Sequence, residues 1–160
     1  VRRQRQMCIR DRLGATESNF VNPHGLYNDN HYTTAYDLYL IFNEAIKYSK
    51  FVDTLSCMKY TGSFTRKTAY GDYSIGCSYT NSNGFLTGSY ATPDGIKVYG
   101  GKAGYTEVAR RSYVMLAESN NGHKYIIITM RAESNSHMYK DLSALLNKIP
   151  VEKKSYADNE

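Results

Sequence analysis

One short stretch, almost bare of side chains, constrains the fold of this chain more than any other. Residues 95–104 contain four glycines and one alanine, and they begin with a strand-like run at 96–99. So little bulk suits a strand that another backbone or a ligand approaches closely. Lys102 stands among these small residues, which is typical of a site that binds an anion or carboxylate, or that tunes a nucleophile. The alternative is a glycine-kinked edge strand whose lysine is simply solvated.

The chain before this stretch predicts a loop and then a helix. Turn formers fill residues 13–29, where His24 either holds the loop by a hydrogen bond or serves as a ligand or acid-base group. Thr33 or Thr34 caps the helix, with Asp37 in capping-box position after Thr34. Apolar side chains then recur at helical spacing to about residue 48, which predicts a face buried in the core.

The rest of the chain carries mostly strand signals. The predicted elements are a short helix at 51–58, strand or hairpin pieces within 59–86, strands at 112–117 and 124–130, and an amphipathic helix at 136–149. Asn121-Gly122 lies between the last two strands and is the strongest short hairpin signal. Pro150 ends the last helix. The pattern predicts a chain of mixed helices and strands.

Charge is concentrated at the start of the chain. The net charge is +5, and residues 1–12 hold five arginines against Asp11, that is +4, which leaves +1 for the remainder. A basic arm could bind nucleic acid, but nothing in the remainder supports that partner, so no nucleic-acid partner is predicted. Residues 1–12 also lack periodicity and capping signals, and we interpret them as a non-native leader outside the fold.

The cysteines and histidines do not predict a metal site. Cys8, Cys57 and Cys77 form no Cys-x-x-Cys pair and have no metal-binding spacing to histidine, so no metal is predicted. Cys57 and Cys77 could pair in an oxidising compartment, but reduced thiols are favoured. No apolar run reaches the length of about 18 residues that a membrane span requires.

Three separate stretches resemble one enzyme family. Lys102-Ala103-Gly104-Tyr105-Thr106 resembles the Lys-Thr-Gly motif of the serine penicillin-recognising enzymes. Asn22-Pro23-His24-Gly25-Leu26, followed by 31–38, resembles the segment that precedes this motif in the D-alanyl-D-alanine carboxypeptidases, peptidase family S11. Residues 79–86 also fit, and the matches agree in order over about residues 13–149.

The resemblance implies a mixed α/β (α+β) fold, a partial β-lactamase/transpeptidase-like fold with an antiparallel sheet packed by helices. Residues 13–150 are then expected to be the C-terminal part of the catalytic domain, with the N-terminal portion missing, and 151–160 a polar tail or linker. It also implies an extracytoplasmic parent enzyme, which associates with a membrane only through parts not present here.

In this family a serine is activated by a lysine three residues later, and a Ser-x-Asn motif assists proton transfer. Both motifs precede the segment matched here by residues 22–26, so the nucleophile is expected to be absent. Ser56-Cys57-Met58-Lys59 and Ser119-Asn120-Asn121 fit the short patterns, but they fall out of the family order. We interpret both as chance matches.

The resemblance assigns roles to the residues that remain. Lys102 is expected to supply positive charge beside the serine and to attract the substrate carboxylate. Gly104 lets substrate backbone lie against the strand, and the Tyr105 N–H is one oxyanion donor. Arg131 either assists carboxylate recognition or is a solvated strand-end residue.

Ala103 departs from the family pattern. The family usually has threonine at this position, whose hydroxyl binds the substrate carboxylate, whereas Tyr105 and Thr106 keep the family character. The loss of one charge-assisted hydrogen bond is worth about 1.5–3 kcal/mol. Because Ala103 cannot supply this hydrogen bond, recognition of the substrate carboxylate is expected to be weakened or altered.

These inferences predict a piece of a serine-type D-Ala-D-Ala carboxypeptidase. The parent would remove the terminal D-alanine from peptidoglycan stem peptides ending in D-Ala-D-Ala through an acyl-enzyme, and β-lactams would acylate the same serine. The resemblance implies no metal and no organic cofactor. The chain as given is expected to be catalytically silent. The alternative is a non-catalytic relative that binds cell-wall peptide.

Overall fold

The chain folds into two helices, five strands and a closing helix over residues 8–152, the part that the structure, a computed structural model, describes. In chain order the elements are α1 (Ala35–Ala45), α2 (Ser49–Ser56), β1 (Lys59–Thr68), β2 (Gly71–Thr80), β3 (Ile96–Thr106), β4 (Arg110–Ser119), β5 (Lys124–Ala132) and α3 (Asn135–Leu146). Residues 8–12 are also helical. Most of the predicted leader and tail, 1–7 and 153–160, falls outside the described residues.

The N-terminus of α1 is fixed by a polar cluster. The Thr34 side chain accepts a hydrogen bond from the Asp37 N–H at 3.1 Å, so Thr34 is the cap. The Asp37 carboxylate is buried and accepts a hydrogen bond from Ser18 Oγ at 2.6 Å. Ser18 Oγ also lies 2.7 Å from Thr33 Oγ1, so this cluster ties the loop to α1. Asp37 thus holds tertiary structure as well as the first helical turn.

Strands β1 and β2 form one long hairpin instead of the predicted short pieces. They pair antiparallel from Lys59 opposite Thr80 to Thr68 opposite Gly71, and they form a two-stranded sheet of their own. The glycines within them do not interrupt the pairing, because Gly71 makes the turn with φ 121° and the others stay extended.

The central sheet has the order β3-β4-β5 and is antiparallel throughout. The predicted run 96–99 and the glycine-rich stretch are one strand, β3, with a bulge at Tyr99 between Val98 and Gly100. The predicted Asn121-Gly122 turn joins β4 to β5, with Gly122 at φ 81°. The antiparallel sheet flanked by helices is confirmed.

The core lies between the sheet and α3. Side chains of β4, β5 and α3 that are almost fully buried meet there: Tyr113, Met115, Ala117, Ile127, Met138, Tyr139, Leu142 and Leu146. Phe85 and Tyr90 from the loop before β3 complete the cluster. On the other face, α2 approaches β3 at Gly100. The described cysteines, Cys8, Cys57 and Cys77, are free thiols. None of the helices in the described part is both long and apolar enough to cross a membrane.

Candidate functional site

The second half of β3 lines a cavity of about 310 Å³, here called the Lys102 cavity. Its lining comes from β3, β4, the start of α3 and the loop after β2: Ser82, Lys102, Ala103, Gly104, Tyr105, Arg111, Asn135 and Met138. Lys102 therefore borders a cavity and is not simply a solvated residue on an edge strand. Three other cavities are larger, so the charge of the Lys102 cavity and not its size distinguishes it.

Two cations and no carboxylate line the Lys102 cavity. The Lys102 ammonium contacts the Ala103 carbonyl oxygen, and the Arg111 guanidinium lies over the Tyr105 ring at 4.7 Å from its centroid. Within residues 8–152 neither cation takes part in an ion pair. A guanidinium and an ammonium without acidic partners are suited to bind a carboxylate by charge-assisted hydrogen bonds.

The glycines of β3 have two different roles. A Cβ on Gly100 would overlap the Leu55 carbonyl oxygen of α2, and one on Gly101 would overlap the Val114 carbonyl oxygen of β4. At Gly104 a Cβ would meet nothing within 4 Å. The first two positions are therefore glycine because another backbone approaches, whereas Gly104 leaves open space in the wall of the cavity.

The wall opposite β3 is held by a tyrosine of α3. The Tyr139 hydroxyl accepts a hydrogen bond from the Gly84 N–H at 2.8 Å and donates one to the Ser82 carbonyl oxygen at 3.3 Å. Its ring stacks on Tyr90 with centroids 4.0 Å apart. Tyr139 thus fixes Ser82 at the cavity.

Burial, with a smaller contribution from Tyr139, raises the pKa of Tyr113 above its usual value, so Tyr113 stays a neutral phenol.

We expect Tyr139→Phe to lower the free energy of unfolding by about 1–3 kcal/mol, because it leaves the buried Gly84 N–H without its acceptor. Urea unfolding followed by far-UV circular dichroism measures the change. Tyr36→Phe is the matched control, since Tyr36 is exposed on α1, and it should shift the midpoint very little. Equal midpoints for both variants would contradict the role given to Tyr139.

The cavity brings together four of the six residues predicted for the site: Lys102, Ala103, Gly104 and Tyr105. Thr106 does not line it, and its hydroxyl instead accepts the Ala109 N–H at 3.0 Å in the β3–β4 turn. Arg131 does not line it either. Arg131 is exposed near the end of β5 with φ 62°, next to the irregular pairing of β4 with β5.

Sequence reasoning missed Ser82, Arg111 and Asn135. Arg111 could have been found, because the hairpin that follows Tyr105 places Arg111 directly opposite it. Asn135 is the first residue of α3, and Ser82 reaches the cavity through contacts with residues far away in sequence. Ser82 lies within the family-like stretch 79–86, which gave it no role, and no local pattern signals Asn135.

The side chains of the two serine patterns serve local structure. Ser56 Oγ donates to the Val52 carbonyl oxygen at 3.1 Å within α2. Ser119 is buried at the end of β4 and bonds Asn121 in the following turn. Neither lines the Lys102 cavity. His24 Nδ1 accepts the Leu26 N–H at 3.2 Å, which supports its loop-holding interpretation. Among the described residues, no cluster of three or more potential metal ligands occurs.

Comparison with protein families gives one match that covers most of the chain. The family model of peptidase S11, described as D-alanyl-D-alanine carboxypeptidase, matches residues 9–134. No curated protein matches the chain significantly.

Solved structures share the fold. The Streptomyces K15 DD-transpeptidase (S216A mutant) is 25% identical, with a TM-score of 0.72 over 88% of this chain and 50% of its own. A D-alanyl-D-alanine carboxypeptidase from Mycobacterium tuberculosis is 24% identical, with 0.63 over 88% and 49%. Penicillin-binding protein 5 from Haemophilus influenzae is 23% identical, with 0.72 over 91% and 38%. The chain therefore spans about half the length of these relatives, or less.

Proposed function

Because the chain belongs to the peptidase S11 family of D-alanyl-D-alanine carboxypeptidases, we propose that its Lys102 cavity binds the carboxylate end of a peptidoglycan stem peptide that ends in D-Ala-D-Ala. The observation that carries the proposal is the lining of this cavity, which holds two cations and no acid along a strand left open at Gly104. A peptide carboxylate matches that charge, and a small D-alanine side chain matches the space.

In this proposal each residue of the wall has a separate task. Lys102 and Arg111 bind the terminal carboxylate, and Lys102 also supplies positive charge beside the reacting carbonyl. Substrate backbone lies against Gly104, and the Tyr105 N–H is an oxyanion donor. Arg131 belongs to the proposal only as a more distant positive charge, since it does not line the cavity.

The reaction of the whole enzyme would be acyl transfer to a serine. The serine hydroxyl attacks the carbonyl of the penultimate D-alanine, its proton passes to the leaving amine, and D-alanine departs. Water then hydrolyses the ester to release the shortened peptide. β-Lactams would acylate the same serine, at a site outside the cytoplasmic membrane.

We propose that this chain alone does not perform the acylation step. Ser82 is the serine among the described residues that lines the Lys102 cavity, and Phe85, not lysine, stands three residues after it. The Lys102 ammonium lines the same cavity but donates to the Ala103 carbonyl oxygen, and no hydrogen bond among the described residues joins it to Ser82. A serine hydroxyl that no base activates is a weak nucleophile. The nucleophile is therefore assigned to a part of the catalytic domain other than residues 8–152.

One observation favours a second candidate function. Ala103 lines the cavity at the position where the family usually has threonine, so the wall lacks one hydroxyl for the substrate carboxylate. A non-catalytic relative that only binds cell-wall peptide would tolerate that loss. The two candidates share the Lys102 cavity and differ in whether a covalent acyl-enzyme forms.

We expect Lys102→Gln to weaken binding of diacetyl-L-Lys-D-Ala-D-Ala by at least tenfold, since a charge-assisted hydrogen bond is worth about 1.5–3 kcal/mol. Titration followed by ¹⁵N NMR measures the affinity. Lys97→Gln is the matched control, because Lys97 lies on the same strand but sits over the Tyr99 ring, outside the cavity. A peptide amide, which lacks the carboxylate, should bind the unmodified chain as weakly as the acid binds Lys102→Gln. Equal affinity of acid and amide would refute carboxylate recognition.

Incubation with a fluorescent penicillin separates binding from catalysis. We expect no covalent label on the chain after denaturing electrophoresis. A labelled band that survives denaturation, and that cold penicillin abolishes, would overturn the assignment of the nucleophile to another part of the domain.

A further inference from the structure

The β1–β2 hairpin separates its side chains into an aromatic face and a polar face. Opposite residues of an antiparallel pair lie on the same side, and so do residues two apart in one strand. One side, here called the aromatic face, therefore carries Tyr60, Tyr79, Phe64, Ile75 and Tyr73, with Gly62, Cys77 and Arg66 between them. The other side carries mostly small and polar side chains: Lys59, Thr80, Thr61, Ser78, Ser63, Thr65, Ser74, Lys67 and Asp72.

This aromatic face is open in the described part of the chain. Tyr79 is 64% exposed, Tyr60 57% and Phe64 52%. A two-stranded hairpin without packing is only marginally stable in water, so an exposed row of rings on it indicates a binding surface. Tyrosine suits such a surface because its ring is apolar and its hydroxyl remains hydrated.

The ring of Tyr60 lies flat along the hairpin. A Cβ added to Gly62, two residues further on the same side, would meet the Tyr60 ring and hydroxyl. The glycine thus leaves room for the ring to lie over the strand with its other surface turned outward. A flat ring with one free surface can stack against a flat, partly apolar ligand.

The aromatic face continues into a cleft of about 570 Å³ at the hairpin base, here called the base cleft. Tyr60 and Tyr79 line it together with Lys50 and Asp53 of α2, and Ser82 lines both this cleft and the Lys102 cavity. Within residues 8–152 neither Lys50 nor Asp53 forms an ion pair. One positive and one negative group beside aromatic rings favour a neutral, hydroxyl-rich ligand, in contrast to the cationic Lys102 cavity.

We propose that the aromatic face and the base cleft bind the sugar chain that carries the stem peptide, an N-acetylated β-linked oligosaccharide. Pyranose rings present flat C–H surfaces that stack on aromatic side chains, while their hydroxyl and acetamido groups bond charged and polar side chains such as Asp53 and Lys50. This inference rests on the proposed function, because it extends the same substrate beyond its peptide end.

The dimensions agree with a single continuous substrate. Tyr79 lies on the aromatic face, and Ser82, three residues later, lines the Lys102 cavity. At most about 11 Å of chain therefore separates the aromatic face from the Lys102 cavity. Phe64 lies about 13 Å beyond Tyr60 at strand spacing. An extended stem peptide of about five residues spans at most about 17 Å. A peptide whose carboxylate lies in the Lys102 cavity therefore brings its sugar onto the hairpin.

Chitotetraose, a β-linked N-acetylglucosamine tetramer without peptide, tests the inference independently of the peptide site. In ¹⁵N NMR titrations of the full chain we expect shifts confined to residues 50–82, and at least tenfold weaker binding by Tyr79→Leu. The matched control is Tyr70→Leu, which makes the same change in the hairpin turn, away from the aromatic face, and should alter the affinity less than twofold. Lys102→Gln should bind chitotetraose normally.

A disaccharide-pentapeptide tests the continuity of the two sites. We expect it to bind the unmodified chain at least tenfold tighter than the free pentapeptide, and to lose this advantage in Tyr79→Leu. If the free pentapeptide binds and chitotetraose does not, this inference is wrong and the proposed function is unaffected. If chitotetraose binds and the free pentapeptide does not, the proposed function is wrong instead. Sedimentation velocity tests a third outcome. If the unmodified chain is a dimer and Tyr79→Leu makes it a monomer, the aromatic face binds a second copy of the chain and the inference is wrong.

Discussion

Gly100→Ala is expected to lower the free energy of unfolding by about 2–6 kcal/mol. Gly100 has φ 128°, a conformation that residues with a Cβ rarely adopt, and a Cβ there would overlap the Leu55 carbonyl oxygen of α2. Backbone strain costs about 1–3 kcal/mol, and steric overlap in a packed site costs about 1–3 kcal/mol more. Because a domain of this size has about 5–15 kcal/mol in total, the variant should lose a large fraction of its stability.

Urea unfolding measured by circular dichroism tests this expectation, with Gly104→Ala as the control on the same strand. Gly104 has no neighbour within 4 Å of its Cβ position, and its φ is not positive, so alanine there should change the stability by less than about 0.5 kcal/mol. If Gly100→Ala unfolds at the same urea concentration as Gly104→Ala, α2 does not pack against β3 as described.

Ala103→Thr is expected to strengthen binding of a D-Ala-D-Ala peptide by about 10- to 100-fold. Ala103 lines the Lys102 cavity and is only partly buried against the core, so a threonine hydroxyl there is expected to donate a hydrogen bond to the substrate carboxylate. Such a charge-assisted bond contributes about 1.5–3 kcal/mol. A β-branched residue also suits the middle of a strand, so β3 should accept the change.

Ala103→Val is the matched control, because valine has the shape of threonine without the hydroxyl. NMR titration with diacetyl-L-Lys-D-Ala-D-Ala should show tighter binding for threonine and no gain for valine. If both variants bind the peptide more tightly by the same factor, the larger side chain at position 103 and not its hydroxyl improves binding. The proposed contact with the carboxylate would then be wrong.

Local signals in the sequence were enough to predict most elements. Thr34 caps α1, and Asn121-Gly122 turns β4 into β5, because a cap and a two-residue turn are decided by neighbouring residues. The hairpin of β1 and β2 was predicted only as short pieces. Its glycines resemble breaks in the sequence, and only the pairing of the two strands shows that the strands run through them.

The site was predictable along one strand and not across strands. Lys102, Ala103, Gly104 and Tyr105 are consecutive, so a motif could find them, and Arg111 follows from the register of the next hairpin. The opposite wall comes from long-range contacts. Tyr139 positions the loop at 82–84 from more than fifty residues away, and no periodicity or motif in the sequence encodes that contact.

The bulge at Tyr99 sets the phase of β3. In a regular strand Val98 and Lys102 would project from the same side, because they are four residues apart. The extra residue shifts the alternation by one, so Val98 and Ala103 both turn toward the core while Lys102 does not. Deletion of Tyr99 would restore a regular alternation and turn the Lys102 ammonium toward the apolar core. Tyr99 does not line the Lys102 cavity, yet its insertion decides whether the wall of that cavity carries a positive charge.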